Sequence, residues 1–266
     1  MIVDYLHDDF RTLSVAALVC RSWVSASRYH LFEMIETWTP NISTLGQLIA
    51  NTHCTFASSI REIHIEPLLN ECANGTRSTP RCIDPIAGHF SKLVSVRKLR
   101  VSAVHMPINW QKLLKETDFT TRITHLWLCS LRLDSFKCWM EILKSFPSLV
   151  KLRYGAASQM VDNTWKETDI PSNIDWTLSQ KLHSFEVESY VSCPVQQIWS
   201  QNMWAWLLQS QVRLITLELS SLVYISTDAN TRETLSAFSR YLRFLGPSLQ
   251  RLRLDFKDKH SIGMFL

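Results

Sequence analysis

The sequence predicts an α/β chain in which short strands alternate with helices, preceded by a small block of helices. Three observations carry this expectation. An aliphatic-x-x-apolar-x-apolar pattern recurs seven times between residues 60 and 254. Several intervals between these matches hold amphipathic helical stretches that stop at proline. Two matches, a hundred residues apart, are entered through the same words, Pro147-Ser148-Leu149 and Pro247-Ser248-Leu249, and continue alike into Leu152-Arg153 and Leu252-Arg253.

The first block is helical. Leu13, Ala16, Ala17 and Cys20 fall at helical spacing. Val15, Leu18 and Val19 widen that apolar face around most of the circumference, so this short helix is expected to be buried by its neighbours. A second helix is expected from about Ser25, with Tyr29, Phe32 and Ile35 on one stripe and Leu31 beside it. Ile2, Val3 and Leu6 read as the last turns of an earlier helix, and Asp8 and Asp9 as a turn. Helices this short, over roughly 36 residues, bury too little surface to be stable alone and need either a partner or the chain that follows.

The run Leu18-Val19-Cys20-Arg21-Ser22-Trp23, followed by Leu31-Phe32, resembles the F-box, the helical motif that docks substrate receptors onto the Skp-type adaptor of cullin-RING ubiquitin ligases. In particular it is similar to the F-boxes of the large receptor families of mushroom-forming fungi. The resemblance covers residues 1–36 and implies adaptor contact through Leu6, Leu13, Leu18, Val19, Cys20, Arg21, Trp23, Leu31 and Phe32. It also implies that Trp23 caps the packing between the second and third helices while Arg21 points outward. From the residues alone, Trp23 reads equally as an ordinary core aromatic and Arg21 as a solvated charge. The family's opening Leu-Pro does not precede Met1, so the expectation is a motif truncated in its first helix. The end at SIGMFL, just after a strand with no polar capping segment, is expected to be an incomplete C-terminus.

The repeats occupy the rest, assigned to residues 37–266. They are IREIHI from Ile60, VRKLRV from Val96, ITHLWL from Ile123, LVKLRY from Leu149, LHSFEV from Leu182, LITLEL from Leu214 and LQRLRL from Leu249, with starts 36, 27, 26, 33, 32 and 35 residues apart. Each reads as a strand of period two. Between them, Leu133, Phe136, Met140 and Leu143 predict one helix, and Leu235, Phe238, Leu242 and Leu245 a second, with Asn230 and Glu233 placed as an N-cap pair. Residues 196–211 predict a third helix, whose Trp199, Trp204 and Trp206 cannot share one face. Residues 68–82 read as an exposed loop and 158–176 as an insertion or a helix with a long connection. A strand and a helix repeating in this way resemble an irregular leucine-rich-repeat solenoid, whose ordinary period is roughly 20 to 29 residues. A globular α/β fold with a parallel sheet is the alternative.

In such a solenoid the first, fourth and sixth positions of each repeat enter the core, and the third, fifth and seventh line the concave face. His64, Lys98, Arg100, His125, Trp127, Arg153, Glu186, Glu218 and Arg253 then form the expected partner-binding surface, joined by Glu62, Glu66, Lys151, Glu188, Arg251 and Asp255. The sign of charge alternates from strand to strand around a central aromatic, which suits a protein or peptide partner.

Composition narrows the function further. Of 266 residues 46% are hydrophobic, enough for a sizeable core, and the net charge of +4 is spread without a basic tract, which disfavours nucleic acid. No run reaches the ~20 apolar residues of a membrane span, and MIVDYLHDDF has none of the features of a signal peptide. The expected location is intracellular, cytoplasmic or nuclear, and the sequons at Asn41 and Asn74 are read as chance. Seven cysteines with no CxxC pair are expected to be reduced thiols rather than disulfides or zinc ligands.

No nucleophile elbow, phosphate-cradling loop or HExxH motif is present, and His53-Cys54 are adjacent and cannot face each other on a helix. The expectation is a non-enzymatic protein without metal or cofactor: a substrate-receptor subunit of an SCF-type ligase, whose partners are the Skp-type adaptor and a protein substrate. A leucine-rich-repeat interaction scaffold with a degenerate F-box is the competing class, and an enzyme with scattered catalytic residues the remaining one.

Overall fold

A computed structural model describes residues 5–6, 9–66, 88–102, 118–129, 136–155, 180–188, 203–223 and 229–257. The chain divides into two compact units, Met1–Ile123 and Thr124–Leu266. The described residues hold seven α-helices and eight strands, all the paired strands running parallel. No helix among them is long and apolar enough to cross a membrane.

In the first unit α1 (Phe10–Val19) is entered at Asp9, a residue expected in a turn. Asp9 is the N-cap: its carboxylate accepts the Thr12 N–H at 2.9 Å and the Thr12 hydroxyl at 2.6 Å, and these bonds hold its pKa below the usual carboxylate range. Cys20 is extended and breaks the helical path, and α2 (Arg21–Phe32) begins at once. The second helix thus starts four residues before the expected Ser25, and Trp23 lies in its first turn. Most of Ile2, Val3 and Leu6's expected helix lies outside the described residues; Tyr5 and Leu6 form a short 3-10 turn.

Ile35 does not continue the stripe of α2. It belongs to β1 (Met34–Trp38), which pairs with β2 (Glu62–Glu66), itself paired with β3 (Lys98–Ser102). Between β1 and β2 runs α3 (Thr39–Ala50), opened by Pro40 and packed through Ile42, Leu45 and Ile49. A four-residue helix, α4 (Phe119–Arg122), precedes the last residue of the unit, and Phe119 stacks on Phe90 with ring centroids 4.4 Å apart.

The second unit contains β4 (His125–Cys129), α5 (Phe136–Lys144), β5 (Lys151–Gly155), β6 (Ser184–Glu188), α6 (203–209), β7 (Thr216–Val223), α7 (Ala229–Leu245) and β8 (Arg251–Lys257). Its strands pair in chain order with no change of sequence position inside each repeat: Leu126, Leu152, Phe185, Leu217 and Leu252 lie side by side. One irregularity, between Leu219 and Leu222, interrupts the β7–β8 ladder.

A single hydrogen-bond device joins successive repeats within each unit. The N–H groups of the second and third pattern positions both donate to the carbonyl oxygen of the second position one repeat earlier. Arg97 and Lys98 bond Arg61 in this way, Val150 and Lys151 bond Thr124, His183 and Ser184 bond Val150, Ile215 and Thr216 bond His183, and Gln250 and Arg251 bond Ile215. The same device reveals an eighth repeat, because Arg61 and Glu62 donate to Glu33 at 2.8 and 3.0 Å. That repeat runs Phe32-Glu33-Met34-Ile35-Glu36-Thr37, with an aromatic first position and a buried threonine at the sixth, which is why its sequence escaped the aliphatic pattern. The expected boundary at residue 36 therefore falls inside a strand, and the last residue of α2 opens the first repeat.

The apolar positions behave as the period predicts. Ile60, Ile63, Ile65, Val96, Leu99, Val101, Ile123, Leu126, Leu128, Leu149, Leu152, Leu182, Phe185, Leu214 and Leu217 are all buried. Fully burying such a side chain contributes about 1.5–3 kcal/mol relative to exposure. The last repeat departs: Leu252 and Leu254, expected in the core, are 44% and 38% exposed.

Helix α5 buries Trp139, Met140, Ile142 and Leu143; Leu133 lies outside the described residues. Helix α7 buries Ala237, Tyr241 and Leu245, while Leu235 is exposed, so its core stripe is rotated from the one expected. The cause is Tyr241, whose hydroxyl donates to the Val212 carbonyl at 2.9 Å and whose ring stacks near Trp204, centroids 5.9 Å apart. Asn230 lies within the first turn of α7 and is not its N-cap. Trp204 and Trp206 of α6 are both buried, Trp204 also against Phe185 and Phe238; Trp199 lies outside the described residues, as do 68–82 and 158–176. The described thiols Cys20, Cys54 and Cys129 form no disulfide.

Candidate protein-docking surfaces

The first surface is on α1. Leu13 and Ala16 are buried on the side that packs against α2. On the other side Val15, Leu18 and Val19, spaced i, i+3 and i+4, make a second apolar stripe that is open to solvent, with Leu18 85% exposed. Phe10 is exposed near the start of the same helix. The sequence predicts one broad face awaiting burial at these positions; the structure splits them into an inner and an outer stripe. Leaving three aliphatic side chains in water forgoes about 1.5–3 kcal/mol each, so such a stripe gains from association.

The candidate adaptor residues divide accordingly. Leu18, Val19, Cys20 and Arg21 lie exposed in one run, and Leu6, Trp23 and Leu31 are half-buried. Leu13 is fully buried and is corrected to a core residue, because its side chain has no outer face to offer. Phe32 is half-buried and stacks on Phe56 with ring centroids 4.6 Å apart. Around it, Arg28 donates to the Thr55 hydroxyl at 2.8 Å and Arg61 lies over the Tyr29 ring at 5.1 Å, so α2 is fastened to the segment before β2. The Cys20 thiol is hydrogen-bonded to the Ser22 hydroxyl at 3.0 Å, which lowers its pKa. Val15 and Phe10 were missed as surface residues; the i, i+3, i+4 spacing of Val15, Leu18 and Val19 opposite Leu13 and Ala16 was the available signal.

The second surface is the polar face of the strands. In the first unit Glu36, His64 and Arg100 stand in register, flanked by Glu62, Lys98 and Glu66. His64 is 6% exposed, with Nε2 2.6 Å from Glu62 and Nδ1 3.3 Å from Glu36. It is corrected from a partner contact to an internal clamp between β1 and β2, because flanking carboxylates cover both ring nitrogens. Burial works against ionisation of Glu62, but its bonds from His64 and from Lys98, at 3.1 Å, outweigh that and hold its carboxyl below the usual range. Arg100 pairs with Glu66 at 3.4 Å.

In the second unit Trp127, Arg153, Glu186, Glu218 and Arg253 form one row across five strands, beside a row that contains His125, Lys151 and Arg251. The Arg153 guanidinium lies 3.9 Å from the centroid of Trp127 and reaches Glu188 at 3.0 Å and Glu186 at 3.8 Å. Lys151 pairs with Glu186, and Arg251 with Glu218 at 3.2 Å. His125 lies 2.9 Å from the Thr124 hydroxyl. The alternation of charge along the sequence is thus spent mostly on cross-strand pairs within the face. Each exposed pair of this kind contributes about 0–1 kcal/mol, so the face is ordered more than it is stabilised. Arg253 is exposed and makes no ion pair among the described residues. No group of three or more His, Cys, Asp or Glu side chains able to hold a metal occurs among the described residues.

No protein-family model and no curated protein matches the chain.

Proposed function

We propose that the protein is a substrate-receptor subunit of an SCF-type ubiquitin ligase, docking a Skp-type adaptor through α1 and the start of α2 and a protein target through the polar faces of its repeats. The observation that carries this reading is the outer stripe of Val15, Leu18 and Val19, exposed immediately before the Cys20-Arg21-Ser22-Trp23 run that resembles an F-box. A stable helix needs only one buried face, and this one keeps a second apolar face ready. The ordered Trp127–Arg153 stack supports target binding in the same way, since a cation fixed on an aromatic presents a broad contact at little further entropic cost. The receptor acts by proximity: holding the target beside a charged conjugating enzyme raises the local concentration of its lysines.

The test is co-expression of the full chain with a fungal Skp-type adaptor, followed by affinity capture and size exclusion. Co-elution in a defined ratio is expected. Separate elution of two folded proteins would favour the scaffold class over the receptor.

A further inference from the structure

The polar strand face of the first unit begins with a strand that is not polar. Alternation along β1 places Met34, Glu36 and Trp38 on the side of Glu62, His64 and Glu66, while Thr37 is buried on the other. Met34 is 43% exposed and Trp38 41% exposed, on a face whose residues from β2 and β3 are all polar. Large apolar side chains held in water on either side of a carboxylate mark a contact surface. Among the described residues no cation and no other ring lies against the Trp38 indole. The described charge on this face is one carboxylate out of balance. Lys98 bonds Glu62 at 3.1 Å and Arg100 pairs with Glu66 at 3.4 Å. Glu36 remains, more than half exposed, with His64 Nδ1 at 3.3 Å as its one described partner.

The second unit shows which group such a setting holds. There the Arg153 guanidinium lies 3.9 Å from the Trp127 centroid and reaches the carboxylates of Glu188 and Glu186. Trp38 also has two carboxylates beside it, Glu66 as its register partner on β2 and Glu36 two residues back on its own strand, about 7 Å away. We infer that the β1 side of this face binds an arginine of a protein partner, with the guanidinium over Trp38 and donating to Glu36, and with an apolar side chain of the same segment on Met34. Arginine suits the site because a planar guanidinium stacks on an indole and forks to a carboxylate at once, which an ammonium cannot do. A chain segment is required rather than a free amino acid, since Met34 and Trp38 stand four residues apart, about 13 Å along the strand. The inference deepens the receptor reading by giving the chemistry of the target, and it rests on that reading for calling the partner a target.

The test is equilibrium binding of the purified full chain to immobilised heptapeptide pools, degenerate except for a central arginine, citrulline or glutamate, with soluble acetyl-arginine amide as competitor. The wild type should favour the arginine pool over the citrulline pool by about five-fold or more. Glu36→Gln and Trp38→Ala should each lower the arginine pool to the citrulline level, and Glu36→Lys should move the preference to the glutamate pool. Thermal melting checks that each variant is folded; should Trp38→Ala unfold, the two variants of the exposed Glu36 decide the matter. A wild type without arginine preference, a Glu36→Gln variant that keeps it, or acetyl-arginine amide competing as well as the soluble arginine pool would each overturn the inference. Adaptor capture alongside separates the two readings. Arginine preference without adaptor binding would sink the receptor reading alone, and adaptor binding without arginine preference would sink this inference alone.

Discussion

The Arg153 guanidinium lies over the Trp127 ring at 3.9 Å while its nitrogens reach Glu188 and Glu186 on the next strand. One side chain thus links β4, β5 and β6, and the Trp127 ring is covered by a cation from its own sheet.

Trp127→Ala is expected to leave the chain folded at a cost of about 1–2 kcal/mol, since the ring is only half-buried. Arg153→Ala is expected to cost less. Because each loses the same stack, the double variant should be more stable than additivity predicts, by about 0.5–1 kcal/mol. Urea unfolding of the four proteins measures this, and strict additivity would show that the stack contributes nothing. Target binding is expected to weaken in both single variants.

Glu62 gives the first unit an acid sensitivity. Its carboxyl is held below its ordinary pKa in the folded state. Over the window between the two values the unfolded chain therefore binds more protons, and stability rises with pH. The contribution is complete above the ordinary glutamate value and is lost as pH falls through the folded one. Glu62→Gln should flatten the fall in melting temperature over that acid range. An unchanged acid profile in the variant would refute the role assigned to the carboxylate.

Tyr241 acts at the opposite end of the scale. Burial raises its pKa well above the ordinary tyrosine range, and its hydroxyl bonds Val212. Tyr241→Phe is expected to cost about 1 kcal/mol near neutrality by leaving that carbonyl unpaired. The folded state holds the proton that the unfolded chain releases in alkali, so this group's contribution falls as pH rises past the usual tyrosine value. The wild type and the variant should therefore converge in stability in alkali; a difference independent of pH would contradict this.

These residues also mark what the sequence could and could not disclose. The seven repeat strands were legible because the sheet demands period two, and register followed from it: Trp127, Arg153, Glu186, Glu218 and Arg253 do share one row. The eighth strand was hidden because Phe32 and Thr37 replace aliphatic residues at the first and sixth positions of its repeat. Helical periodicity located α7 but not its inward face, since the choice between Leu235 and Tyr241 depends on Val212 and Trp204, which are distant in sequence. For the same reason His64 looked available: its closure depends on Glu36, which stands on a strand that the pattern missed. On α1 the apolar positions were plain, yet only the packing of α2 decides which stripe stays outside.

That outer stripe is where the account is most exposed to test. The decisive measurement is an equilibrium titration of a purified fungal Skp-type adaptor against the full chain and against Leu18→Asp, with thermal melting alongside. Leu18 makes no core contribution, so the variant should melt within about 1 °C of the wild type. Docking through this stripe predicts saturable binding by the wild type and at least a ten-fold loss in the variant, as expected when a charge enters an apolar contact. No binding by the folded wild-type chain, or equal binding by both, would contradict it.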